Sequence, residues 1–329
     1  MRTDALTPLT LCLLLAAGPS ACAQQRDLAV AASDTAIAQP AQQSPTYNSA
    51  EQVLSALESA DEDLTTFTSG IAYTTIKDLG GALTRRTGQI AYDTNESADG
   101  AQQRRFAVHF TTLLRGDRYL EDDRALQTIA FDGRWLWEKL HSERQINKRE
   151  IVRLGETIDP FELGDGPFPP LPIGQQKDDI LRRYQVQLVP WDQSLTPDPE
   201  LDPSYPDEKR EIDMAESLME FAEGSVQLRL IPRADDGRFA EIRLWYKPDE
   251  TGRLLPRMSR TVDASSNDIS IVQLMHPLTI NGPAREDLLT IKADDDPENP
   301  WNITETRLPP PPASRQPAGT TRTTPRDRP

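Results

Sequence analysis

The 329-residue chain has little cysteine and little histidine, with 2 and 3 residues respectively. Both cysteines, Cys12 and Cys22, precede residue 24, in a segment predicted below to be a leader. A mature chain without paired thiols has no disulfide framework, so it must be stabilised by the core that a chain of this length can bury. The histidines, His109, His141 and His276, share none of the spacings typical of metal sites, which predicts structural roles and no metal site.

The chain also lacks the short motifs that indicate catalysis. It contains no G-x-S-x-G nucleophile motif, no P-loop and no dinucleotide-binding fingerprint. Its many carboxylates include no pair that the sequence marks as general acid and base. The acidic run at 294–296 lacks the ligand spacing of an EF-hand and indicates a solvated charge run. The sequence therefore predicts a protein that is not an enzyme and uses no cofactor.

Positive charge is scarce, because 36 lysines and arginines stand against 52 aspartates and glutamates, for a formal net charge of −16. The segment after residue 308 is itself basic, so the part predicted to fold is more acidic than the whole. Such a surface repels the phosphates of nucleic acids and of anionic headgroups. The composition therefore excludes a nucleic-acid-binding protein.

The apolar run near the N terminus, residues 9–17, is too short to span a bilayer as a helix. It follows Arg2 and precedes Ala21-Cys22-Ala23, which fits the small-x-small rule for cleavage. We interpret residues 1–23 as a signal peptide, and therefore expect export to the periplasm. A competing interpretation makes Cys22 a lipidated first residue of the mature chain, which would anchor the protein to a membrane.

Composition divides the remaining chain into three parts. Residues 24–46 are rich in Ala, Gln and Ser without apolar periodicity, which predicts a flexible linker. Residues 309–329 open with four prolines and end in Thr, Arg and Pro, which predicts a disordered tail. The residues between, 47–308, suit one large β-rich domain better than two small ones.

The predicted domain is organised around a hairpin at residues 125–150. Asp132-Gly133 is a strong signal for a tight turn, because such turns need positive φ. Strand-forming residues flank it on both sides. Trp135 and Trp137 are two residues apart and so share one side of their strand. A pair of tryptophans on one side is a large apolar surface that must meet either a core or a ligand.

Other segments alternate in the same way, with apolar residues on one side of 106–114, 225–232 and 238–248. The pattern predicts meandering antiparallel strands with one apolar face and one wet face. A long twisted sheet of this kind curls, and the amphipathic helix predicted at residues 50–64 is the natural cover for its concave side. The apolar, proline-rich segment 159–173 is predicted to pack across the sheet, while 190–209 is interpreted as an exposed insertion.

The apolar strand residues are most simply core, but a curled sheet under one helix can also leave an apolar cavity of the size that binds small molecules. The candidates for such a cavity are Phe106, Val108, Phe110, Trp135, Trp137, Val226, Leu228, Leu230, Ile242 and Leu244.

Several short segments, in their order along the chain, resemble the periplasmic lipoprotein carriers of the LolA type, in a longer and divergent version. The segments are Asp63-Leu64-Thr65-Thr66-Phe67, Arg105 to Phe110, Phe131-Asp132-Gly133-Arg134-Trp135-Leu136-Trp137, Glu143-Arg144-Gln145, Leu228-Arg229-Leu230-Ile231-Pro232 and Asn281.

This resemblance implies an α+β fold that is mainly β, an unclosed antiparallel β-barrel with helices covering the concave apolar face. It implies a carrier that binds the acyl chains of lipoproteins or lipids for transfer towards the outer membrane, with an inner-membrane donor and an outer-membrane acceptor as partners. The alternative is an envelope sensor or scaffold, anchored through Cys22, that uses the same fold to bind a protein partner.

Overall fold

Four helices and thirteen strands follow one another in the part of the chain that the structure describes. This computed structural model describes residues 47–79, 81–96, 102–153, 156, 171, 173, 176–234, 237–293 and 297–309, all within the compact unit Gln43–Pro329. The predicted signal peptide, linker and Cys22 lie outside these residues, as does the predicted tail after Pro309. Those interpretations therefore stay predictions.

The helices are α1 (Ala50–Glu62), α2 (Lys177–Arg183), α3 (Pro206–Ala222) and α4 (Glu286–Leu289). The strands are β1 (Thr66–Ile76), β2 (Leu83–Glu96), β3 (Gln102–Arg115), β4 (Arg118–Leu120), β5 (Gln127–Phe131), β6 (Trp135–Leu140), β7 (Gln145–Glu150), β8 (Tyr184–Val189), β9 (Val226–Pro232), β10 (Phe239–Pro248), β11 (Leu254–Asp263), β12 (Ile269–Ile280) and β13 (Asn302–Thr306).

All the strands belong to one sheet. Its order is β13-β7-β6-β5-β3-β2-β1-β12-β11-β10-β9-β8, and β4 pairs with β3 beside this path. Every pairing is antiparallel except that of β13 with β7. The two outermost strands of this order do not pair with each other, so the described sheet is not closed. The predicted fold, a mainly β open barrel with helices, is confirmed.

Local sequence explains the two elements that start the domain and organise its centre. Ser49 caps α1 by accepting a hydrogen bond from the backbone of Gln52, and the helix buries one stripe that includes Leu54. In the central hairpin Gly133 has φ +96°, a conformation that glycine adopts without strain. The Asp132 carboxylate accepts hydrogen bonds from two backbone amides beyond the turn, which fixes the predicted hairpin.

One face of the sheet, called here the apolar face, holds two clusters of buried side chains. The first cluster is Phe67, Ile71, Ile90, Tyr92, Phe106, Val108, Phe110, Phe131, Leu136, Val152, Leu171, Ile173, Val272 and Leu274. The second cluster is Val53, Leu54, Leu57, Ile180, Tyr184, Leu228, Leu230, Phe239, Ile242, Leu244, Tyr246 and Leu254. Register joins them, because Val272 pairs with Ser259 and Ser259 with Leu244, and paired residues share a face.

The prediction that residues 190–209 form an exposed insertion is wrong in part. Leu195 is buried, and the last residues of this range belong to α3, which begins at Pro206 because proline suits the first helical position. Strands β4 and β13 and helix α4 were not predicted, because each is only three to five residues long.

Candidate functional site

Eight of the ten predicted cavity residues lie on the apolar face. Phe106, Val108 and Phe110 belong to the first cluster, while Leu228, Leu230, Ile242 and Leu244 belong to the second, against which Val226 also packs. Cross-strand pairing aligns these side chains in rows across the sheet. Phe106 lies opposite Phe131, and Leu244 lies opposite Leu228. The alternating pattern of the sequence is therefore sufficient to bring these eight side chains to one face.

The prediction that Trp135 and Trp137 share this face is wrong. In β6 it is Leu136 that points into the first cluster, opposite Phe131, so its two neighbours lie on the opposite face. Trp137 packs there with Ala107 and Ala130 beside Leu289 of α4. The large indole area thus meets a short helix that the sequence did not reveal.

Polar groups complete the surroundings of the two tryptophans. The Trp137 indole nitrogen donates a hydrogen bond of 2.9 Å to Asp132, the residue that also fixes the hairpin turn. The ammonium of Lys148 lies 4.1 Å from the centre of the Trp135 ring and 4.8 Å from that of Trp137. Both contacts are typical of cation–π interactions, which stabilise a half-buried aromatic ring without a ligand.

The two clusters of the apolar face have different covers. Helices α1 and α2 cover the second cluster with Val53, Leu54, Leu57 and Ile180. In the described part of the chain, the first cluster is covered by Val152, Leu171 and Ile173, which belong to no helix or strand. Of the segment 159–173 predicted to pack across the sheet, only Leu171 and Ile173 lie among the described residues, and both are buried in the first cluster. Phe106 and Val108 beneath are 0% exposed.

The covers of the two clusters meet at a small opening. Its cavity has a volume of about 20 Å³ and is lined by Leu64, Phe67, Ile173, Leu254 and Leu278, among others. This volume is about that of one water-sized probe. Where the two covers meet, the apolar face is filled by the chain's own side chains. An apolar guest could therefore bind there only if part of a cover moved.

On the opposite face, a polar group lies on β9, β10 and β11. Glu241 accepts hydrogen bonds of 2.6 Å from both Arg229 and Arg243, and the Arg260 guanidinium lies 3.5 Å away. Burial alone would raise the pKa of Glu241, but the hydrogen bonds from Arg243 and Arg229 outweigh it and leave this pKa below its usual value. Glu241 is therefore a charged structural group, not a proton donor near neutral pH.

The same face has a groove of about 970 Å³ between α3 and the ends of β1, β2, β11 and β12. Its lining mixes apolar residues such as Leu195, Met214 and Ile271 with charges of both signs. The predicted insertion and α3 thus form a wall on the opposite face and do not contribute to the apolar face.

His109 has a structural role, as the sequence predicts. Its Nε2 lies 2.6 Å from the carbonyl oxygen of Leu288, and its Nδ1 lies 3.0 Å from the Thr128 hydroxyl. The carbonyl only accepts, so Nε2 donates and Nδ1 accepts from the hydroxyl. Within the described ranges, no group of three or more His, Cys, Asp and Glu side chains is placed to hold a metal ion.

Comparison with solved structures finds similar folds at low identity. An uncharacterised conserved protein from Thermus thermophilus is 10% identical, with a TM-score of 0.35, over 78% of this chain and 98% of that one. A LolA superfamily protein from Nitrosomonas europaea is 16% identical, with a TM-score of 0.30, over 72% and 96%. MucB in the Pseudomonas aeruginosa MucA/MucB complex is 16% identical, with a TM-score of 0.31, over 74% and 60%.

A LolA superfamily protein is thus among the solved structures to which this chain is similar at low identity. No family model matches the sequence, and no curated protein matches it either. Among the described helices, none is long and apolar enough to cross a membrane.

Proposed function

We propose that this protein is a periplasmic carrier that binds an acyl chain of a lipoprotein or lipid on the first cluster of the apolar face. The observation that supports this most is the cover of that cluster, which comes from outside the helices and strands. The guest chain takes the place of Leu171 and Ile173 over Phe106, Val108 and Phe110. No bond is made or broken, so the protein acts as a carrier and not as an enzyme.

The free energies favour such an exchange. Exposing the side chains of Leu171 and Ile173 costs about 1.5–3 kcal/mol each, so about 3–6 kcal/mol together. An acyl chain that buries a dozen methylenes contributes about 10 kcal/mol, at about 0.8 kcal/mol for each. The difference between these two free energies favours binding of the guest. An acceptor with its own apolar site can offer the acyl chain a similar free energy and so remove it.

The predicted leader supports the location. A signal peptide at residues 1–23 would release the protein into the periplasm, between an inner-membrane donor and an outer-membrane acceptor of the cargo. Lipidation of Cys22 would instead tie it to one membrane and favour the alternative, a sensor or scaffold that binds a protein partner. Labelling the protein in cells with a fatty acid distinguishes these two states of Cys22.

The experiment that tests the proposal is mass spectrometry of organic extracts of the purified mature protein, followed by titration with a fluorescent fatty acid. We expect bound lipid in the extract. We also expect the double variant Leu171→Ala and Ile173→Ala to bind the probe several-fold more tightly, because less of the cover competes for the face.

A matched control for this experiment is Leu195→Ala, which removes the same side chain from a buried position on the opposite face. Its affinity for the probe should equal that of the unaltered protein. An extract without lipid, together with no binding of the probe by the folded protein, would contradict the carrier and leave the sensor or scaffold.

A further inference from the structure

A basic pocket lies at the end of the apolar face, where β3 turns into β4. Its volume is about 350 Å³, within the range of roughly 300–1,000 Å³ that is typical of small-molecule sites. Its lining includes the arginines Arg86, Arg115, Arg118 and Arg124, and the single acid Glu143. The lining is therefore net positive, although the chain as a whole has a net charge of −16.

Strand register places the pocket on the same face as the first cluster. Arg86 pairs with Leu113, which pairs with Leu120, and Arg115 pairs with Arg118, so these side chains share one face. Leu113 and Leu120 form part of the floor. Leucines and arginines therefore meet in one cavity, which suits a molecule with an apolar part and an anionic part.

Aromatic side chains connect the pocket with the first cluster. Arg86 lies opposite Tyr73 in β1, and the Tyr73 ring stacks on Phe110 at 6.2 Å between ring centres. Along β3, Phe106, Val108 and Phe110 of the first cluster are followed by Leu113 and then by Arg115 at the pocket. The face thus changes from apolar to cationic along a single strand.

The charges of this pocket are only partly neutralised. Arg124 forms an ion pair with Asp122. Arg86 donates a hydrogen bond of 2.9 Å to the carbonyl oxygen of Ala125, a neutral group. In the described part of the chain, no carboxylate forms an ion pair with Arg86, Arg115 or Arg118. Burial, and then the charge of Arg115, lower the pKa of Arg86, which is the effect expected where cations lack a counter-charge.

We propose that this pocket binds the anionic head group, a carboxylate or phosphate, of an amphiphile whose acyl chain lies on the first cluster. The proposal rests on the proposed function and narrows the cargo to lipids with an anionic head. Guanidinium groups suit this role because their planar fork donates two parallel hydrogen bonds to either anion. The net positive lining attracts such a head group, although the chain as a whole is acidic.

The test compares three probes with the same acyl chain: palmitate, monopalmitoylglycerol phosphate and uncharged monopalmitoylglycerol. Their affinities are measured by displacement of a fluorescent fatty acid. We expect the unaltered protein to bind at least one anionic probe about ten-fold or more tightly than the neutral one, the effect of a charge-assisted hydrogen bond. Preference for only one anion supports the pocket and identifies the head group.

Two variants test whether the preference for an anionic probe comes from the arginines of this pocket. Arg86→Gln and Arg118→Gln should each weaken the preferred anionic probe about ten-fold and leave the neutral probe unchanged. Arg182→Gln, an exposed arginine of α2, is the matched control and should change neither. Arg118 is exposed on the β3–β4 hairpin, so its variant keeps the test valid should Arg86→Gln fail to fold. Added salt should weaken the anionic probe alone.

Two results would overturn these proposals separately. Equal affinity for all three probes, unchanged by either arginine substitution, would overturn the head-group pocket and leave the carrier intact. Failure of the folded, unaltered protein to bind any of the three would overturn the carrier itself.

Discussion

The two clusters of the apolar face consist of similar side chains but have different covers. The second cluster lies under α1 and α2, whose backbone groups are largely paired within each helix. The first lies under Val152, Leu171 and Ile173, which belong to no helix or strand. A helix moves as a unit, so opening the second cluster would expose many groups at once. The proposed exchange at the first cluster displaces Leu171 and Ile173.

Under the proposed function, one face both stabilises the fold and binds a guest. Buried area on the second cluster would stabilise the sheet, while buried area on the first would be available for exchange. Substitutions that affect one cluster and not the other test this division.

The largest effect is expected from Leu54→Ala, in the α1 residues that cover the second cluster. Leu54 is 1% exposed, and its truncation leaves a cavity that a helix cannot readily fill. We expect a loss of about 3 kcal/mol in the free energy of unfolding, measured by urea denaturation. A loss below about 1 kcal/mol would show that the helical cover is as adaptable as the irregular one.

A smaller loss in the free energy of unfolding is expected from Leu171→Ala, although the Leu171 side chain is 0% exposed. Leu171 belongs to no helix or strand, so we expect its site to collapse more readily into the space and the loss to be about 1–2 kcal/mol in the same measurement. Equal losses for the two leucines would remove the proposed contrast between the clusters.

Trp137→Ala tests the opposite face. We expect about 1 kcal/mol of destabilisation, since Trp137 is only half-buried against α4, and no change in the affinity for a fluorescent fatty acid. The binding titration is the sharper measurement. Loss of binding in a folded variant would show that Trp137 lines the binding cavity, as the sequence predicts.

The smallest effect is expected at Asp263, the last residue of β11, which accepts hydrogen bonds from the turn that leads to β12. Hydrogen bonds from the side chain and backbone of Ser265, and then from Ser266, lower the pKa of Asp263 to about 2. A lowered pKa stabilises the fold above the unfolded value of about 3.9, and this contribution is lost as pH falls from about 4 to about 2.

The measurement is an NMR titration of the Asp263 carboxyl, with unfolding of Asp263→Asn as the comparison. The variant should be slightly less stable than the unaltered protein near neutral pH, and the two should converge near pH 2. A carboxyl that titrates near 4 would contradict the hydrogen-bonded turn.

Much of the fold follows from local pattern. The hairpin at residues 125–150, the helix before β1 and the alternating strands could be predicted because turn chemistry, capping and periodicity act over a few residues. The eight aliphatic and phenylalanine positions of the candidate site follow from the same alternation.

The tryptophans and the basic pocket could not be predicted in this way. Trp135 and Trp137 share one side of β6, as the sequence predicts. What covers that side depends on α4, which lies more than 140 residues later in the chain. Arg86, Arg115 and Arg118 form no motif, because the pairing of β2, β3 and β4 brings them to one cavity, which Arg124 also lines.

By itself, the sequence determines the strands, the turns and the apolar side of most strands, since these depend on backbone preferences and on alternation over short distances. The tertiary structure decides which half of that side lies under helices, and that arginines gather at its end. Both depend on contacts between segments far apart in the chain. The local alternation of apolar and polar side chains carries no information about such contacts.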